Sequence, residues 1–266
     1  TVPVSLLIRE KDANIDTANS YDNAWETGAN GWIQHCTDLK NAWSGKSDGM
    51  VVHVGDSITY ANPYGSWARY GSGKTSADVS ICNWMHSDIW GDGTNNSTNG
   101  WYLAAYDVPG RGGSYTAKSG IRADQYLAGN YSLPSTDQMF TSGYTNPDGK
   151  QYRDAEICVL MLGTNDAGAG RSATDVANDL GTIINKMEAA KVIVALSTLP
   201  PRYGADATIQ AYNTQIRALA QTKKIPLIDY YQETVRRRPN GTWMNTLISG
   251  DGVHPSADYG GSTASS

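Results

Sequence analysis

Four residues carry groups that could carry out acyl-transfer chemistry together: Ser57, Asn165, Asp251 and His254. A serine hydroxyl is a poor nucleophile until a base removes its proton. Imidazole serves as that base when a carboxylate fixes its other ring nitrogen. Asp251 stands three residues before His254 in Ser249-Gly250-Asp251-Gly252-Val253-His254-Pro255, a spacing that lets the carboxylate receive the imidazole N–H. Asn165, in Gly163-Thr164-Asn165-Asp166, offers an amide that donates without titrating, which suits it to a developing oxyanion. Each piece also has a plainer reading. An Asp-Ser before a helix is a common cap, an Asn-Asp after a strand is common turn chemistry, and a lone Asp-x-x-His is ordinary surface polarity. Among the four histidines, His53 lies inside a strand pattern without an acid at useful spacing. His35 and His86 lack strand-end contexts, so His254 is the best base.

These groups must be held by the ends of strands. The apolar run Val51 to Val54, starting near Met50, reads as a buried strand that stops at Gly55 and delivers Asp56-Ser57 to its carboxyl end. A second run, Ile157 to Leu162, delivers Asn165 to the same edge, and further strands are expected at Val192 to Ser197, Pro226 to Ile228 and near Ser114 to Lys118. Helical periodicity covers Thr174 to Ala190, with Val176, Leu180, Ile183, Ile184 and Met187 on one face, and Ala205 to Thr222, with Ile209, Tyr212, Ile216 and Leu219. Strands alternating with helices imply right-handed crossovers and a parallel sheet. Ligands bind such sheets at the carboxyl edge. The Asp251–His254 segment is expected in a glycine-containing loop after the last strand.

Residues 1–48 read as an extension packing on the same domain, with a helix around Asn30 to Ala42. Residues 49–259 form the main domain, and 260–266 is a Gly/Ser tail of linker composition. Within the domain, 61–119 is a long insertion rich in Gly, Asn, Ser, Tyr and Trp, where substrate recognition is expected. Gly45-Lys46-Ser47-Asp48-Gly49 fits G-x-S-x-G but precedes a strand, whereas a nucleophile elbow must follow one. Gly71-Ser72-Gly73-Lys74-Thr75 has neither the spacing nor the preceding strand of a phosphate loop.

Composition removes other classes. With 26 Asp+Glu against 21 Lys+Arg the chain lacks the cationic field that favours nucleic acid. The one basic cluster, Arg236-Arg237-Arg238, is expected in a solvated loop. No apolar run reaches the roughly 20 residues of a membrane span. Cys36, Cys82 and Cys158 match no zinc pattern, and no metal is expected; a Cys36–Cys82 disulfide stays open, with Cys158 in the core. The 16 Tyr and 8 Trp against one Phe lean towards a carbohydrate surface, because these side chains pair an apolar face with a polar handle. Low charge density, the missing initiator Met and the linker-like tail favour a secreted or periplasmic protein.

The blocks Gly55-Asp56-Ser57-Ile58-Thr59, Gly163-Thr164-Asn165-Asp166 and Asp251-Gly252-Val253-His254 occur in this order along residues 49–258, and in that the chain resembles the SGNH hydrolases, also called GDSL esterases and lipases. The element order and the resemblance together imply a three-layer α/β/α sandwich with a parallel, flavodoxin-like sheet. The resemblance further implies a catalytic triad of Ser57, Asp251 and His254, with an oxyanion hole from the N–H groups of Ser57 and Gly120 and the side chain of Asn165. Gly120, in Ser119-Gly120, is favoured over Gly112 and Gly113 because the helical-looking Ile121 to Leu127 follows it. The family needs no metal or organic cofactor, and normally continues past this histidine into a closing helix, whereas here only Pro255 to Tyr259 precede the tail. The expected activity is hydrolysis of short-chain, acetyl-type esters on a small molecule or an acylated polysaccharide. Asp56, Tyr64, Trp67, Trp90 and Trp101 are candidate substrate contacts. Longer acyl substrates and a non-catalytic carbohydrate-binding module on the same scaffold are the alternatives.

Overall fold

The structure is a computed structural model, and it describes residues 31–45, 47–61, 75–77, 79–80, 100–102, 116–145 and 151–256. Its centre is a five-stranded, wholly parallel sheet in the order β2-β1-β3-β4-β5, built from β1 (Ser47–Gly55), β2 (Gly100–Tyr102), β3 (Ala155–Met161), β4 (Ile193–Ser197) and β5 (Leu227–Ile228). The order 2-1-3-4-5 is that of flavodoxin-like sheets.

The period of two along each strand explains the layers. Met50, Val52 and Val54 of β1, Cys158 and Leu160 of β3 and Val194 and Leu196 of β4 belong to one large cluster. Val51, Ile157 and Ile193, each one residue out of phase, face the other way and pack with Trp32 and Cys36. Two long helices fill the first cluster. They are α6 (Ala173–Ala189), burying Val176, Leu180, Ile183, Ile184 and Met187, and α7 (Asp206–Lys223), burying Ile209, Tyr212 and Ile216. Helix α1 (Trp32–Asn41) covers the second cluster. Strands buried on both faces read as continuous apolar runs, which is why β3 and β4 were legible.

Several expectations change. β1 begins three residues earlier than Met50. Of the stretch Ser114 to Lys118, the described residues 116–118 contribute only an isolated parallel bridge, Gly55 to Ala117, while the edge strand β2 arises inside the polar insertion and pairs Met50, Val51 and Val52 with Gly100, Trp101 and Tyr102. Three residues are too few for a periodic signal. Arg236 and Arg237 lie in the last turn of α8 (Tyr230–Arg237), both paired with Glu233, so the expected loop is a helix whose C-terminal end is charge-complemented. Cys36 is a buried free thiol, pushed up to about 12 by burial and by nearby Glu188, and so does not form the disulfide left open. Cys158 is likewise buried and free. Residues 1–30 and the tail 260–266 lie outside the described residues, as do the sites expected in most of the insertion.

Leu180 is fully buried between α6 and the sheet. Leu180→Ala should cost about 2–5 kcal/mol of unfolding free energy, read as a lowered denaturant midpoint at unchanged slope.

Candidate active site

Gly55 ends β1 where an added Cβ would lie 2.7 Å from the Met161 carbonyl and 2.0 Å from Thr59 Oγ1, so only glycine lets the chain turn there. The next residue decides the role of the serine. Asp56 Oδ1 accepts the Ile58 backbone N–H at 2.9 Å, capping the short helix α2 (Ser57–Ala61). Because Asp56 supplies the cap, the Ser57 hydroxyl is left to other partners. It lies 2.8 Å from His254 Nε2.

The other face of the imidazole is held as a general base requires: His254 Nδ1 lies 2.6 Å from Asp251 Oδ2. The second carboxylate oxygen accepts from Ser249 Oγ at 2.7 Å and from the backbone N–H groups of Val253 and His254 at 2.8 and 3.0 Å. Partial burial pushes the Asp251 carboxyl up, but these hydrogen bonds, together with the one from the His254 ring, outweigh it and hold the group well below the usual carboxylate range. Asp251 is therefore an anion that fixes the imidazole tautomer.

The loop bearing His254 was expected to leave the last strand directly, and it does not. It follows α8 and the turns from 238 to 248, and is tied to itself through Ser249 N–H to the His254 carbonyl (2.8 Å) and Ser256 N–H to the Leu247 carbonyl (2.9 Å). It reaches the carboxyl edge of the sheet through the loop after β4, whose Tyr203 N–H donates to the Gly252 carbonyl at 2.8 Å.

The oxyanion candidates sit on two further loops. Gly120 has φ +79°, in the left-handed region that favours glycine, and a Cβ there would meet nothing within 4 Å. The glycine is thus selected by backbone conformation, with open space beside it. Asn165, in the short helix α5 (Thr164–Gly168) after β3, donates Nδ2 to the carbonyl of Ile121 at 3.0 Å, the residue next to Gly120. An amide has two N–H bonds, so one fixes the side chain and the other remains for a ligand oxygen. Gly112 and Gly113 lie outside the described residues.

Asp166 locks these two loops together. It is fully buried, accepts the Ala123 N–H at 3.0 Å at the start of α3 (Ala123–Ala128), and pairs with Arg171 at 2.7 Å. Arg171 also pairs with Asp179. Burial raises the Asp166 carboxyl and Arg171 opposes the rise. Arg202, from the loop after β4, donates to the carbonyl and, at 3.3 Å, to the hydroxyl of Thr164. Ser249, Arg171 and Arg202 were not singled out from sequence. Ser249 is detectable as the first residue of a Ser-x-Asp turn, whereas the two arginines act through tertiary contacts alone.

Of the proposed substrate contacts, Asp56, next to Ser57, is fully buried and presents no surface to a ligand. Trp101 lies within β2, opposite Val51, and so on a strand instead of a recognition loop. Tyr64, Trp67 and Trp90 lie outside the described residues. His53 is buried in β1, its pKa lowered to about 3 by burial, which keeps it neutral. Among the described residues no cluster of His, Cys, Asp and Glu could hold a metal ion, and no helix is long and apolar enough to cross a membrane.

Burial raises the Asp56 carboxyl from an ordinary 3.8 to about 7, with the Ile58 N–H opposing and Asp166 reinforcing the rise. Folded protein then holds its proton more tightly than unfolded chain, so this group's contribution to stability falls as pH rises from about 4 to 7. Thermal melts across that range should show a flatter pH dependence for Asp56→Asn than for wild type; parallel curves would refute the assignment.

No curated protein sequence matches the chain. Solved structures do. A member of the lipolytic G-D-S-L family from Veillonella parvula shares 20% identity over 78% of this chain and 89% of its own, with a TM-score of 0.49. A GDSL-like lipase from Bacteroides thetaiotaomicron shares 20% over 85% and 89%, TM-score 0.49. A carbohydrate esterase family 3 protein from Talaromyces cellulolyticus shares 21% over 78% and 88%, TM-score 0.48. The profile of the GDSL-like Lipase/Acylhydrolase family matches residues 53–258, a span that holds all three blocks around Ser57, Asn165 and His254, and the chain belongs to that family.

Proposed function

We propose that this protein is a serine esterase that hydrolyses carboxylic esters through an acyl-enzyme, with small acyl groups such as acetyl on a polar, carbohydrate-like alcohol. The continuous chain Ser57 Oγ, His254 Nε2, His254 Nδ1, Asp251 Oδ2, at 2.8 and 2.6 Å, carries this reading. Ser57 Oγ attacks the ester carbonyl carbon while its proton passes to His254 Nε2, and the C=O electrons collect on oxygen. The N–H groups of Ser57 and Gly120 and the free amide N–H of Asn165 receive that oxyanion. On collapse the bond to the alcohol oxygen breaks, and His254 returns the proton to the departing alkoxide. Water then attacks the acyl-enzyme with His254 again as base, releasing the acid and restoring Ser57.

Acyl size is read from composition. The 61–119 insertion supplies Tyr, Trp, Asn and Gly more than the Leu or Phe of a long acyl channel. Hydrolysis of an aryl acetate, butyrate and long-chain ester in parallel tests it, and robust long-chain cleavage with negligible acetate release would overturn it.

Ser57→Ala should abolish turnover while the protein stays folded. Asn165→Ala should lower kcat by about a hundredfold to a thousandfold. Asp251→Asn, which inverts the hydrogen-bond preference at His254 Nδ1, should cost on the order of 10³- to 10⁴-fold. A Ser57→Ala protein with wild-type kcat would sink the mechanism.

A further inference from the structure

Tyr203 is 70% exposed, yet its backbone is held from several sides. Its N–H donates to the Gly252 carbonyl at 2.8 Å. Pro200 and Pro201 before it are buried, and the Arg202 side chain is anchored on Thr164. Behind it Gly204, at φ +74°, closes a turn in which the Ala205 N–H reaches the Arg202 carbonyl at 3.2 Å. The loop is held at its root as well: Leu199 N–H and C=O both bond the Asn213 side-chain amide, at 2.8 and 2.9 Å. The root of the side chain lies against Gly252, where an added Cβ would come within 2.5 Å of Tyr203 Cβ. An aromatic ring is thus presented to solvent from a fixed backbone that contacts Gly252, two positions before His254 in the chain.

The chemistry says which part of a substrate lies there. His254 must hand its proton to the departing alkoxide, so the alcohol half of the ester passes over the loop that carries His254, whereas the carbonyl oxygen points to Gly120 and Asn165. Tyr203 touches the former loop, at Gly252. A tyrosine on a held backbone has only its two side-chain torsions left to order on contact, which makes it an economical platform for a flat apolar face.

We propose that Tyr203 is a substrate-binding residue that selects the leaving group, stacking its ring on a cyclic alcohol, either the C–H face of a pyranose or an aryl ring. The proposal rests on the esterase reading above and deepens it by naming the alcohol side of the site. It also implies that Tyr203 contributes to acylation and not to deacylation, because the alcohol has departed before water attacks.

Acetate esters differing only in their alcohol test it: a peracetylated methyl xyloside, phenyl acetate and ethyl acetate, with wild type, Tyr203→Ala and Tyr203→Trp. In Tyr203→Ala the ratio of kcat/KM for a cyclic alcohol to that for ethyl acetate should fall about three- to tenfold, and Tyr203→Trp should restore it. A fall with the xyloside alone identifies a sugar face, and a fall with both cyclic esters a general ring platform. An unchanged ratio, including an equal loss on all three esters, overturns the proposal. If wild type cleaves none of them, the esterase reading is what fails. The contact is then read by binding of the same xyloside to Ser57→Ala with and without Tyr203→Ala, where a three- to tenfold weakening supports it and equal or absent binding overturns it.

Discussion

A hydrogen bond between two residues 197 positions apart, Ser57 and His254, sets the demands on the rest of the fold. It survives only if loops from several elements keep fixed positions over one edge of the sheet. The parallel topology places the carboxyl ends of β1, β3 and β4 side by side, and a circuit of polar contacts does the remainder. Gly55 exchanges backbone bonds with Thr116 and Lys118, tying the strand before Ser57 to the segment before Gly120. Asn165 and Asp166 bond Ile121 and Ala123, tying that segment to the loop after β3. Arg202 carries the circuit to the loop after β4, Tyr203 passes it to Gly252, and His254 closes it on Ser57.

The circuit runs through buried charge, whose energetics are asymmetric. Asp166 has one cationic partner and backbone donors, so its burial is compensated. Asp56 has one backbone donor, and its second oxygen has no hydrogen-bond partner among the described residues. A buried carboxylate in that state favours its neutral form. Asp56 therefore serves the site by capping α2 and freeing Ser57, at some cost in stability, and not by touching substrate. Asp251 is the opposite case. It is half exposed and richly hydrogen-bonded, and so remains ionised where the imidazole needs an anion.

Helix α1 shows how the sheet's second face is closed within this chain. Trp32 and Cys36 cover Val51, Ile157 and Ile193, and Lys40 reaches across to buried Glu156 at 2.6 Å. The face opposite α6 and α7 is thereby covered, and β1 can carry a neutral histidine, His53, without exposing it.

The residues brought together at the sheet edge were legible in the sequence because each depends on local rules: a strand ends at a glycine, an amide follows the next strand, an acid stands three residues before a histidine. Apolar runs and helical periodicity located β1, β3, β4, α6 and α7 for the same reason, since burial on a repeating period writes itself into residue type. What the local rules left undecided needed tertiary structure. Whether Ser57 caps a helix or faces a base depended on Asp56 taking the cap. The Asp251–His254 loop, cut off from the last strand by α8, meets the sheet edge through contacts remote in sequence, Tyr203 with Gly252 and Ser57 with His254. The three-residue strand β2 exists by virtue of its partner β1, and Arg171 and Arg202 matter through carboxylates and carbonyls distant in sequence. A hydrogen bond between remote segments leaves no period and no spacing in the chain, so it becomes visible only when the fold brings its two ends together.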